Sequence, residues 1–468
     1  MKALRPLSII VIVLLSVSCA SMRTSQSQYV EAEVHVRQRN YLAAAAIIEE
    51  SKGKTYQEKE RVLYYLDLGM LYHYAGKYEE SNSALSEAEY GIEELYTQSI
   101  SKAIGSGLLN DNALDYDGEV YEDLYINIFK SLNYIALDDT ESALVEVRRV
   151  NNKLNLLQDK YNLMYDQYSR SSESSKAVVP KVINEFHNDA LARYIGCVLY
   201  RNMGDWDDAR IDRGLIKESY LSQPELYPFP APSPPDASPA EGHELPVNFF
   251  VFTGQSPNKV ATTYYINSQH DMITFSSLEQ NSGDYLYQMT GLTAMYVPGI
   301  EAGFHIKFQF PRMENRSVPV NNIRVYADDS LIADLGLTED MEHIAQRTFS
   351  KELPLTVGKT VTRALIKGIV KEAADQAIDK EIEGSGLGLL KSIFDIATDV
   401  AVDATENADL RVSNFFPAQA YTGEAYLSPG TYNFRIEYYN SGHLLFIDSK
   451  ENMEINKDNS IIESFFIF

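Results

Sequence analysis

Residues 66–88 read LDLGMLYHYAGKYEESNSALSEA. Leu68, Gly69 and Tyr72 fall at helical spacing on one face, and Leu85 and Ala88 do the same further on. Gly76 and Lys77 interrupt the period between them. The pattern predicts two helices meeting at a tight turn, with Gly69 small enough to let the second helix approach the first closely. A lone helix pair leaves apolar surface exposed, so it needs neighbours to stack on.

Neighbours of the same kind are present. The turn and the small residue after it recur in RQRNYLAAAAII (Tyr41, Ala44), LNYIALDDTESALVEVRR (Tyr134, Ala143, Val147) and VLYRNMGDWDDAR (Tyr200, Trp206, Ala209). Tyr134 and Ala143 stand nine residues apart, as do Tyr200 and Ala209. This order resembles the tetratricopeptide repeat, with Tyr65, Leu68, Gly69, Tyr72, Gly76, Tyr78, Leu85 and Ala88 at its signature positions. Ser81 stands where that repeat usually has Ala, and Glu93 where it often has Pro. The units do not keep the repeat's period of about 34 residues, so further helices or insertions must lie between them. Stretches such as NDNALDYDGE and YSRSSESSKAVVP read as insertions. The resemblance implies a helical array with a concave face.

Composition narrows the function. The chain has 468 residues, 45% hydrophobic and 23% charged, which is ordinary for globular domains. Its net charge of -25 gives no basic footprint for nucleic acid. At the N-terminus, Lys2 and Arg5 precede the apolar run LSIIVIVLLSV, and Cys19 follows the small residue Ser18. This resembles a bacterial lipoprotein signal peptide, although Ser16 stands where Leu is usual. The resemblance implies removal of residues 1–18 and acylation of Cys19 with palmitate-type chains. Ala20 in place of Asp implies, by likeness to enterobacterial lipoproteins, the periplasmic face of the outer membrane. Several acyl chains at about 0.8 kcal/mol per buried methylene would hold the chain stably.

The second half reads differently. Residues 19–222 are expected to form the helical repeat domain, helical throughout from Tyr29 to about Tyr220, and residues 223–246 a proline-rich linker that carries PELYPFPAPSPPDASPAEGHELP from Pro224 to Pro246. Residues 247–468 read as a β-rich domain, through VNFFVFTG, KVATTYYIN, AGFHIKFQFP, NNIRVYA, EAYLSPGTYNFRIEYY, HLLFIDS and SIIESFFIF. Pro429 and Gly430 are expected to make a hairpin turn. Inside this domain, residues 356–406 or so read as an inserted helical hairpin across GSGLG, with Leu390, Phe394, Ala397, Ala401 and Ala404 as an apolar stripe. The expected fold class is therefore α+β multidomain, an all-α repeat array followed by a β-rich domain with a helical hairpin.

No motif argues for catalysis. The eight His residues are scattered, and there is neither an H-E-x-x-H nor a G-x-S-x-G. GSGLG lacks the strand before it and the Lys after it that a phosphate loop needs. DYDGE at 115–119 lacks a first ligand at Ala113 and a bidentate Glu. The expectation is no catalytic residue, no metal and no cofactor. Cys197 reads as a small buried hydrophobe in the close-packing slot that Gly69 occupies. In ESALVEVRR, Glu146 and Arg149 are spaced to pair, and Arg148 and Arg149 are candidate contacts to a client carboxylate.

At the scale of the whole chain, YEDLYINIFKSLNYIAL with ALVEVRR, FTGQSPNK, TRALIK, ADLRVSNFFPAQ and LSPGTY resemble a family of proteobacterial lipoproteins with tetratricopeptide-like repeats. The family transfers no catalytic residue. It implies an envelope setting. The resulting expectation is an outer-membrane lipoprotein that acts as a protein-binding adaptor or scaffold in envelope assembly, its partner an envelope protein or peptide segment and no nucleic acid. The alternatives are a membrane-active or pore-associated component using the 356–406 hairpin, or a protein that binds or processes cell-wall polymer.

Overall fold

Four turns of one shape organise the N-terminal helices. At Arg39, Gly76, Asp138 and Gly204 the backbone is left-handed, with φ of 59°, 70°, 62° and 79°. The next residue donates its N–H five residues back, from Asn40 to His35, Lys77 to Tyr72, Asp139 to Tyr134 and Asp205 to Tyr200, each at 2.9 Å. Such bonds satisfy helix-end carbonyls that would otherwise lack a partner. The computed structural model that carries them describes residues 27–102, 114–171, 181–238, 243–270, 272–280, 287–296, 302, 305–352, 402–406, 408–456 and 460–468.

The turns join α1 (Ser27–Arg37) to α2 (Tyr41–Glu50), α3 (Arg61–Tyr74) to α4 (Tyr78–Lys102), α5 (Val120–Ala136) to α6 (Thr140–Ser171), and α7 (Ala190–Met203) to α8 (Trp206–Ser222). Consecutive hairpins pack in sequence order, α2 on α3, α4 on α5 and α6 on α7. Equivalent positions pin two of them: Ser81 Oγ donates to the Gly69 carbonyl at 2.8 Å, and Ser131 Oγ to the Ala143 carbonyl at 3.0 Å. In the last hairpin Cys197 packs on Ala209 instead. Thus Ser81, in the place of the usual Ala, has a structural use.

The strands form two sheets among the described residues. The larger has the order β11-β10-β6-β7-β9-β1-β12, with β1 (Leu245–Thr253), β6 (Asn322–Ala327), β7 (Ser330–Asp340), β9 (Gln419–Leu427), β10 (Gly430–Asn440), β11 (His443–Ile455) and β12 (Ser460–Phe466). It curls until its outer strands meet, where Phe446 stacks on Phe466 with ring centroids 4.7 Å apart and Ser464 Oγ donates to Asp448 at 2.7 Å. Strand β1 explains why its sequence is apolar without alternation. Val247, Phe249 and Val251 fill the inside of the curled sheet, while Phe250 and Phe252 face the helices. A strand covered on both faces has no polar side. The smaller sheet has the order β4-β3-β2-β5-β8, with β2 (Asn258–Gln269), β3 (Met272–Gln280), β4 (Tyr287–Tyr296), β5 (His305–Glu314) and β8 (Val402–Glu406).

Several expectations need correction. The proline-rich stretch 223–246 separates helices from strands along the chain but is no free spacer, because Leu226, Tyr227 and Ala237 are buried. One hydrophobic core joins the helices to Phe250, Phe252, Phe415 and Phe416, so helical and β regions are a continuous body. Pro429 and Gly430 do not close a hairpin: β9 pairs with β1 and β7, whereas β10 pairs with β6 and β11. The tight hairpin is one link later, at Ser441 and Gly442, both with positive φ. Of the inserted hairpin expected at 356–406, residues 402–406 are the strand β8, parallel to β5, and residues 356–401 lie outside the described residues. Cys19 and the signal peptide also lie outside them.

Candidate functional site

The helices and the sheet meet along an extended stretch, residues 408–418, ADLRVSNFFPA. Its main chain is read residue by residue. Tyr29 Oη donates to the Val412 carbonyl at 3.5 Å, and Tyr74 Oη to the Phe415 carbonyl at 2.9 Å. Glu122 accepts the Ser413 N–H at 2.6 Å, and Asp67 the Asn414 N–H at 3.3 Å. From the sheet side, Gln255 and Ser256 donate to the Asn414 and Ser413 carbonyls at 3.1 and 3.2 Å. Arg411 is held by Asp409 at 2.7 Å and reaches the Leu114 carbonyl at 3.0 Å. An irregular chain can be buried only when its backbone polar groups find partners like these.

Two carboxylates organise this joint. Asp67, fully buried on α3, accepts from Tyr29, Tyr56 and Ser413 hydroxyls at 2.7, 2.6 and 2.7 Å. Glu122, at the start of α5, accepts from Tyr116 at 2.6 Å and from its own helix-capping N–H of Glu119 at 2.8 Å. Burial pushes Asp67 up to about 6 and Glu122 up to about 7, since the donors offset only part of the loss of hydration. A third buried carboxyl, Glu339 of β7, accepts from Tyr125 and Tyr227 at 3.1 Å and ties the proline-rich stretch to the helices. Burial, with Asp189 nearby, holds it well above the usual range.

The fourth contact is a buried histidine. His73 places Nδ1 2.7 Å from Asn133 Oδ1 and Nε2 3.0 Å from Glu463 Oε1. The Asn133 amide nitrogen donates to Ser81 and Asn82, so its oxygen is the atom left to face His73. Two acceptors call for two ring protons. Burial opposes that charge, but Glu463 and the two hydrogen bonds outweigh it and raise the His73 pKa.

Residues singled out by spacing take packing positions. Leu68, Leu85, Ala88, Ala143 and Ala209 are buried, and Tyr65, Tyr72, Tyr134 and Tyr200 lie partly buried against the core. Glu146 and Arg149 do not pair with each other. Glu146 turns inward to Lys130 at 3.1 Å and Asn127 at 2.6 Å, whereas Arg149 pairs with Glu89 at 3.1 Å. Arg148 donates to Tyr200 Oη at 3.2 Å. Both arginines therefore hold neighbouring helices within the chain. Glu89 collects Lys130, Lys153 and Arg149 at 2.8, 3.0 and 3.1 Å, joining α4, α5 and α6. Burial pushes the Cys197 thiol up to about 12, which suits packing and not nucleophilic attack.

Spacing missed Asp67, Glu122 and His73, although Asp67 and His73 lie inside the first stretch quoted. A signal was present: α3, RVLYYLDLGMLYHY, is apolar on every side, as a helix buried all round must be. Its polar residues had to face partners. A cleft of about 190 Å³ beside Arg61, Glu94 and Tyr116 is small and mixed in charge. Among the described residues no group of three or more His, Cys, Asp or Glu is placed to hold a metal, and no helix is long and apolar enough to cross a membrane. Comparisons with known protein families, curated proteins and solved structures find no match to this chain.

Proposed function

We propose that the protein is a lipid-anchored scaffold of the bacterial envelope. In this reading residues 1–18 are removed, Cys19 is acylated, and the chain sits on the periplasmic face of the outer membrane. The helix hairpins act as a tetratricopeptide-like array whose groove is committed to the chain's own stretch 408–418. The observation that carries the reading is that buried joint, in which helix side chains bind successive main-chain groups of an extended segment. Gripping of this kind makes the helices a rigid mount. An anchor at their N-terminal end then holds the sheets at a set place relative to the membrane, where an envelope protein binds the assembled body.

Membrane fractionation and crosslinking test it together. Cys19→Ala is expected to move the protein out of the membrane fraction, to block labelling with palmitate, and to cost it a stoichiometric envelope partner recovered with the unaltered chain. Retention of the variant in the membrane with unchanged processing would refute the anchor. Recovery of no stoichiometric partner from crosslinked cells would refute the scaffold.

A further inference from the structure

Large hydrophobic side chains left exposed one at a time need no explanation. One corner of the molecule gathers them. Of the sixteen found exposed among the described residues, six lie on α1, α2 and the start of β11. Val30 and Val34 of α1 are 68% and 51% exposed, Leu42 of α2 is 50% exposed, and Leu444, Leu445 and Ile447 of β11 are 48%, 41% and 39% exposed.

These stretches, distant in sequence, meet at Arg39 in the turn between α1 and α2. Its guanidinium lies 4.6 Å from the centroid of the Phe446 ring and 3.4 Å from Asp448. Phe446 and Asp448 turn into the seam with β12, towards Phe466 and Ser464. Leu444 and Ile447, opposite Tyr439 and Glu437, take the outer face, and Leu445 stands at the register shift. On α1, Val30 and Val34 are one helical turn apart, on the side away from the buried Tyr29, Ala32 and Val36. Glu33 and Arg37, which pair at 3.8 Å, border that stripe on one side, and Glu31 borders it on the other. An apolar stripe bordered by charge lets a helix lie in a membrane interface without crossing it.

We propose that this corner rests on the bilayer surface, with α1 lying along it, Val30 and Val34 towards the acyl chains, and the tip of the β10–β11 hairpin touching down beside the end of α1. This rests on the acylation of Cys19 proposed above, and the length of chain between anchor and helix names the occupant. Cys19 stands eight positions before Ser27, a span of at most about 28 Å. Helix α1 has 11 residues and is about 16 Å long. The tether is long enough for α1 to lie flat while Cys19 stays in the bilayer, and too short to carry the helix far from it. A single tether leaves the body free to turn about it. A second contact at this corner fixes which face the body shows to a partner.

The test uses the full mature chain, purified from membranes and returned to phosphatidylethanolamine–phosphatidylglycerol vesicles, its mass reporting whether Cys19 carries acyl groups. Val34→Cys, Leu42→Cys and Leu445→Cys are labelled one at a time with an environment-sensitive fluorophore, as are Leu156→Cys and Ile211→Cys, which are exposed on α6 and α8. Lipids spin-labelled near the headgroup end of their chains are expected to quench the first three at least two-fold and to leave the last two unchanged. Val30→Asp with Leu444→Asp should abolish the quenching at position 42 while the chain still floats with the vesicles. In an acylated chain, equal quenching at all five positions, or none at 34, 42 and 445, overturns the proposal and leaves the anchor standing. Shielding of 34, 42 and 445 from aqueous iodide without quenching by the lipid overturns it as well, because protein would then cover the corner. A chain recovered with no acyl group on Cys19 removes the anchor, and this contact with it.

Discussion

A methyl group added to Gly69 would lie 2.6 Å from Cδ2 and 2.7 Å from Cγ of Leu85. The two residues come from opposite arms of the α3–α4 hairpin, so the close approach is what Gly69 permits. Gly69→Leu must push the arms apart. Overpacking costs about 1–3 kcal/mol, and the better helix propensity of Leu returns somewhat less than 1 kcal/mol. The full-length variant is expected to unfold at lower urea than the parent. Lys77→Ala, in the exposed turn, should stay within about 0.5 kcal/mol. Equal midpoints for Gly69→Leu and the parent would show that the helices do not need the gap.

Asp67 supports the joint through four donors, the hydroxyls of Tyr29, Tyr56 and Ser413 and the N–H of Asn414. Asp67→Ala leaves all four buried without that acceptor. Each unmet donor costs about 1–3 kcal/mol, and the four are not additive because they share one site. A loss of at least about 3 kcal/mol is expected in urea melts, against about 1–2 kcal/mol for Ser413→Ala, which removes one donor. A loss under about 1 kcal/mol for Asp67→Ala would mean that water replaces the carboxylate freely.

The helices were legible because their turns repeat. Gly76 and Gly204 advertise the left-handed residue at two of the four turns, while Arg39 and Asp138 adopt the same conformation without advertising it. Strands β1, β2, β5, β6, β9, β10, β11 and β12 stood out as aromatic or β-branched runs. Strands β3, β4 and β7 did not, since MITFSSLEQ, YQMTGLTAMY and SLIADLGLTED mix Met, Ser, Thr, Gly and Asp into the alternation. The joint was out of reach of any local pattern. Asp67 meets Ser413 across 346 positions of chain, a contact that no periodicity can signal.

The shared core changes what proteolysis should show. Exposed residues within 230–238 offer a protease access, but the helices and strands on either side bury Phe252 and Phe416 against Phe129. A chain nicked between Leu221 and Val247 is therefore expected to elute from gel filtration as one particle holding both fragments. Addition of urea should separate them in one transition with loss of both helical and β-sheet signals. Two fragments that separate in native buffer and stay folded would show that the joint contributes little.

Stability should fall as pH rises from about 4 to about 7. The sign follows from the direction of the shifts. Asp67 and Glu122 are raised from 3.8 to about 6 and from 4.5 to about 7, chiefly by burial, so the folded state binds protons that the unfolded state has released. Their contribution is whole below the unfolded pKa and is lost as pH passes through the folded one. For Asp67 alone the shift corresponds to something on the order of 3 kcal/mol. His73 acts in the same direction: its raised pKa makes its bond to Glu463 a stabiliser at low pH that fades above the folded value. Glu89 opposes them at the acid end. Although burial works against its charge, Lys153 and Lys130 lower it to about 2, so its contribution is present above about 4.5 and fails as pH drops towards 2. A maximum near pH 4–5 results, to be read from urea midpoints at pH 3, 4.5, 6 and 7.5. The chain's net charge of -25 would also favour acid through self-repulsion, so variants must separate the two causes. Asp67→Asn and Glu122→Gln should each flatten the slope between pH 4.5 and 7.5, while Glu79→Gln, which removes one exposed charge, should not. If all three variants keep the parent slope, neither Asp67 nor Glu122 sets the pH dependence.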